Sequence, residues 1–144
     1  MTITELNKRM KAANKESLKT EAAQENSQHL ADLNRIQMKQ GKTTKDTPIS
    51  PSYRSPNYAA FKISEGSLAP FGTPNLLLTG AFHDGIDFVA ESGQYYPTSW
   101  DEKTLELLAK YDNILGLSEE SKQIATVRVT RSFVNLWKKK VGLS

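Results

Sequence analysis

The first forty residues contain neither proline nor glycine, whereas the next thirty-five carry Pro48, Pro51, Pro56, Pro70 and Pro74. That contrast constrains the fold more than any other feature, because a long helix is open to the first stretch and closed to the second. Residues 1–40 are rich in Ala, Lys, Glu, Gln and Leu, and Ile3, Leu6, Met10, Ala13 and then Leu30, Leu33 and Ile36 fall at helical steps. The spacing predicts one long N-terminal helix, capped by Thr2 or Thr4 and stopped at Gly41. Between Asn14 and Gln28 its stripe thins to Leu18, Ala22 and Ala23, so the helix needs a neighbouring helix or a second copy to bury it.

Residues 41–74 read as an extended, proline-containing arm. Disordered linkers are poor in aromatics, and this one is not. Tyr53, Tyr58, Phe61 and Phe71 are the candidate partner-interface residues, on an ordered arm with one helical turn near Asn57–Lys62.

Residues 75–144 read as an α+β core. Phe82, Ile86 and Val89 at helical spacing predict a short helix leading into a hairpin that turns at Glu91-Ser92-Gly93, and Trp100 closes the unit. A helix capped by Ser99 or Asp101 runs to about Tyr111, with Leu105, Leu108 and Tyr111/Asp112 marking its face, and Gly116 ends the segment. A last helix opens at Ser118-Glu119-Glu120, with Ile124, Val127, Arg131, Val134, Trp137 and Val141 as its stripe. The β-branched run Ile124–Thr130 keeps a strand open as the alternative there. The fold class is therefore α+β: a long N-terminal helix, an extended arm, and a small antiparallel sheet packed with C-terminal helices.

Chemistry is scarce. The chain has no cysteine, which excludes thiolate metal sites, disulfides and cysteine nucleophiles. Only 38% of its residues are hydrophobic, lean for a compact enzyme, and no apolar run approaches a membrane span. The N-terminus carries no signal-peptide pattern, so a soluble protein made inside the cell is expected. His29 has no ligand partner four residues on. His83 has Asp87 for company and reads as a capping or surface residue, since zinc needs at least about three protein ligands. Neither a Gly-x-Ser-x-Gly elbow nor a phosphate loop is present. No catalytic residue, metal or cofactor is expected. Charge is uneven: residues 1–46 sum to +3, residues 47–117 to −4 and residues 118–144 to +4. Unlike patches on one chain suit head-to-tail contact between copies. The basic ends also suit nucleic acid, with Lys138, Lys139 and Lys140 beside Trp137 as the candidate contact for DNA or an acidic partner.

Three strings, Gly41 to Tyr53 (Gly-x7-Ile-x-Pro-x-Tyr), Tyr58-Ala59-Ala60-Phe61-Lys62 and Leu76-Leu77-Leu78-Thr79-Gly80-Ala81-Phe82, come in an order that resembles small structural proteins of tailed phages. The type is the one found in phages of the Bacteroidetes. Lys110-Tyr111-Asp112-Asn113-Ile114-Leu115-Gly116-Leu117 is similar to a later element of that family, with Asn113 near its glycine and Leu115 in place of its phenylalanine. The resemblance covers about residues 33–118. It implies a head–tail joining or tail-completion (neck) subunit of the virion, assembled in the host cytoplasm. Such a subunit forms a homo-oligomeric ring against portal, neck or tail proteins, with DNA passing through the lumen, no membrane and no catalysis. A DNA-binding or packaging accessory protein that uses the basic C-terminal helix is the alternative.

Overall fold

The computed structural model describes residues 1–77 and 80–143; Leu78 and Thr79 of the Leu-Thr-Gly string lie outside the described residues. The fold is α+β, with seven helices and one two-stranded antiparallel sheet among the described residues.

The N-terminal stretch is three helices rather than one: α1 (Ile3–Ala12), α2 (Lys15–Glu25) and α3 (Ser27–Lys39). Both breaks are made by asparagine, whose short amide competes with the helical ladder. Ala13 turns extended, and the Asn14 side chain caps α2 by accepting from the Ser17 N–H at 3.1 Å. At the second corner the Asn26 amide donates to the Ala22 carbonyl at 2.7 Å and to Ser132 Oγ at 2.9 Å, which ties the α2–α3 junction to the C-terminal helix. Thr2 and Glu5 form a capping box at the start of α1.

The arm is more regular than its prolines suggest. Pro56 occupies the first turn of α4 (Pro56–Ser64), where its missing N–H costs nothing, and Ser55 caps the helix through the Tyr58 N–H. The expected single turn is therefore a nine-residue helix. The arm's ends are stitched by backbone bonds, Ile49 N–H to the Gly41 carbonyl and Tyr53 N–H to the Gly72 carbonyl, both 2.8 Å.

Helix α5 (Ala81–Asp84) leads into β1 (Ile86–Glu91) and β2 (Gln94–Ser99), paired from Ile86↔Ser99 to Glu91↔Gln94. Ser92 and Gly93 both have positive φ, as a tight two-residue hairpin turn requires. Because Ile86 begins a strand, burial there follows a period of two: Ile86 and Phe88 are inside and Val89 is outside.

Helix α6 (Thr104–Lys110) turns outward the two leucines expected on its buried face, and of that face only Tyr111 is in the core. Leu105 is 83% exposed and Leu108 is also exposed, while Leu107 packs against the core beside buried Tyr111. Helix α7 (Glu119–Val141) settles the Ile124–Thr130 stretch as helix, capped by Ser118 and closed by a left-handed Gly142. Its inward face is Ala125 and Val141, whereas Ile124, Val127 and Val134 face out.

The core gathers Leu30, Leu33 and Met38 of α3 with Ile49, Phe82, Ile86, Phe88, Ile114 and Leu117. Residues 1–40 thus supply one wall of it. Two polar side chains stand in that wall. Asn34, fully buried, donates to the Ile114 carbonyl and accepts from the Gly116 N–H, both at 3.0 Å. Gln37 accepts from the Ser118 N–H at 2.8 Å. Together they supply the hydrogen bonds that an irregular loop lacks when it is buried.

Candidate functional site

Three of the arm's four candidate aromatics meet in space. Tyr53 and Tyr58 form an edge-on pair with ring centroids 4.9 Å apart, and Phe61 stacks on Tyr58 at 6.1 Å. Phe71 is next in sequence to Gly72, whose carbonyl accepts from the Tyr53 N–H, but its ring is not part of this stack. Phe61 is 52% exposed and Phe71 63%, and Tyr58 is also exposed. Tyr53 is half-buried, and burial pushes its phenol up from the usual value. Tyr53, Tyr58 and Phe61 therefore form a surface ridge of large apolar area, the composition that interface cores favour, and Phe71 is a separate exposed ring.

Beside the ridge lies a cleft of about 410 Å³, lined by Tyr53, Tyr58, Lys62, Phe82, Leu107 and Tyr111 with Asp101, Glu102 and Glu106 at its edge. Lys62 is the reactive-looking group. Burial lowers its pKa, but its Nζ donates to the Leu77 carbonyl at 2.6 Å. That bond occupies the amine in closing the arm against residues 75–77.

His83 is not the surface or capping residue that its neighbours in sequence suggested. It is 2% exposed, and its Nε2–H donates to the Asn75 carbonyl at 2.8 Å, which fixes the tautomer. Burial lowers its pKa, and Nδ1 has no hydrogen-bond partner. Asp87, the supposed companion, turns away on β1, where it accepts from its neighbour Phe88 N–H and from Trp100 Nε1. The carbonyls of His83 and Asp84 in α5 and of Ile86 at the start of β1 are held instead by the Arg35 guanidinium, which also pairs with Asp32 at 2.8 Å. His29 stands half-buried on α3, 3.4 Å from Arg128 Nη1. Among the described residues no three His, Asp or Glu side chains converge.

The C-terminal lysines and Trp137 separate. Lys138 and Lys139 line a recess with Glu25 and Leu136, while Trp137 turns to the other side of α7. There, with Met10, Ala13, Phe133 and Val134, it forms the floor of a groove of about 760 Å³ between α7 and the α1–α2 corner. The lysines on that groove are Lys11, Lys15 and Lys19, all exposed, and no carboxylate lines it. Their four-residue period was visible in the sequence. What hid their importance is the α1–α2 break, which folds the lysines over an apolar strip from the far end of the chain.

Comparisons with known protein families, with curated proteins and with solved structures return no match. No helix among the described residues is long and apolar enough to cross a membrane.

Proposed function

We propose that this chain is a virion structural protein of a tailed phage, a head–tail connector or tail-completion subunit that works by occupying a place in a homo-oligomeric ring. The observation that carries this reading is the amount of large apolar side chain left outside the core. Leu68, Phe71, Trp100 and Leu105 are each more than 60% exposed, and the Tyr58–Phe61 ridge adds to them. Exposed apolar area marks contact with other molecules where it is contiguous, as it is along the Tyr53–Tyr58–Phe61 ridge. The core itself is small, and the polar groups within it hold loops in place rather than converge on a space for substrate. The order of the arm and loop strings, which resembles phage neck proteins, supports the same reading.

The reading is tested on the purified full-length chain by light scattering after size exclusion and by negative-stain microscopy. Ring-shaped oligomers, and labelling of the chain at the neck or tail end of particles, are expected. A monomer at all accessible concentrations with no incorporation into particles would refute it.

A further inference from the structure

The α1–α2–α7 groove and helix α6 are opposite in charge, and both expose apolar side chains. The groove has an apolar floor with Trp137 and Met10 in it, a rim of Lys11, Lys15 and Lys19, and no carboxylate. Helix α6 and the turn before it carry the converse: Trp100 and Leu105 stand 72% and 83% exposed, Leu108 is exposed as well, and Glu102 and Glu106 are exposed in the same short segment. Carboxylates outnumber lysines here: Asp101, Glu102 and Glu106 stand against Lys103, which shares the edge of the tyrosine cleft with them, and Lys110 lies over the Tyr111 ring.

A chain cannot place its own α6 in its own groove. The hairpin lies between them. At its turn, the Gly93 N–H donates to Thr20 Oγ1 on α2, next to Lys19; at its other end, β2 runs out at Ser99 directly before Trp100 and α6. Two six-residue strands hold those ends about 17–20 Å apart. The complement of the groove is therefore on another molecule.

We infer that helix α6 of one copy docks in the α1–α2–α7 groove of the next, with Leu105 on the Trp137–Met10 floor and its carboxylates against Lys11, Lys15 and Lys19. Such a contact joins two different surfaces, so it propagates from copy to copy and closes into a ring when the rotation allows. This assignment rests on the ring reading above and names the surfaces that build it.

The test uses full-length protein, whose lack of native cysteine makes cross-linking site-specific. Met10→Cys and Leu105→Cys chains, mixed and oxidised, are expected to give disulfide-linked dimers, and a chain carrying both substitutions a ladder of higher species. Neither single variant alone should cross-link. In parallel, Lys15→Glu/Lys19→Glu is expected to weaken association about a hundredfold, because like charges then face each other. Mixing with Glu102→Lys/Glu106→Lys should restore it, with circular dichroism unchanged throughout because all four residues are exposed. Oligomers that persist with no disulfide product from the mixed Met10→Cys and Leu105→Cys chains and no effect of charge reversal overturn this contact and leave the ring reading standing. Leu105→Cys cross-linking to itself overturns it in favour of a two-fold contact. A chain that is monomeric without any substitution overturns both.

Discussion

Replacing Asn34 by Ala removes the two hydrogen bonds by which α3 holds the 113–118 loop. The side chain is completely buried, so water does not take its place. The Ile114 carbonyl and the Gly116 N–H, each bonded to it at 3.0 Å, are left without that partner. A buried backbone group stripped of its partner costs about 1–3 kcal/mol, so the pair amounts to about 2–6 kcal/mol before any relaxation. Domains of this kind are stable by only about 5–15 kcal/mol, so the loss is a large fraction of the total. At roughly 2–4 °C per kcal/mol for a chain near this size, a loss of about 3 kcal/mol lowers the melting temperature by about 6–12 °C. Urea unfolding followed by circular dichroism reads the effect as a lower midpoint at unchanged slope. Gln37→Ala releases the Ser118 N–H of the same loop, so the double variant should lose less than the two single losses combined. An Asn34→Ala chain within about 0.5 kcal/mol of the parent, the range of an ordinary surface change, refutes the idea that this clamp holds the fold.

Three further outcomes are expected. Gly41→Ala should destabilise by about 2–4 kcal/mol in the same urea assay, since φ is +73° and the new Cβ would lie 2.7 Å from Thr73 Cγ2 and 2.8 Å from the Ala69 Cβ; a neutral result removes the close approach of arm and turn as its cause. His83 is held below its ordinary pKa, so the unfolded chain binds its proton more readily than the folded one. Its contribution is complete above about pH 6.5 and is lost as pH falls from there through the folded pKa, and a His83→Gln chain should show a shallower fall in urea midpoint between about pH 7.5 and 5. An identical fall in both chains would refute it. Tyr58→Ala with Phe61→Ala should reduce oligomer mass in light scattering while shifting the melting temperature little, because both rings are already half outside; unchanged assembly would remove the ridge from the interface.

Local signals located most elements. Proline and glycine set off 1–40 from the arm, Ser118 with Glu119 and Glu120 marked the start of α7, and Ser92-Gly93 marked the hairpin turn. The direction in which helices face was harder to read. In α3 the apolar Ile36 is 53% exposed while Asn34 and Gln37 are buried, because the surface that α3 meets is loop backbone in need of donors and acceptors. In α6 and α7 the apolar stripes at Leu105, Leu108, Ile124, Val127 and Val134 are turned out. Periodicity finds an amphipathic face, but it does not say whether that face meets the chain's own core or another molecule.

Of the interaction surfaces, the aromatic ridge was legible because its members fall within one short arm, and charge sums already suggested contact between a basic end of one copy and the acidic middle of another. The groove was not legible. Its lysines and its tryptophan are more than a hundred positions apart, and only the asparagine-broken turn after α1 sets them side by side. The amino-acid order determined which segments become helix, hairpin and arm, because caps, turns and proline act over a few residues. The tertiary structure alone decided which faces are buried, which histidine is silent and where charge meets apolar surface, because those depend on neighbours that the local sequence does not contain.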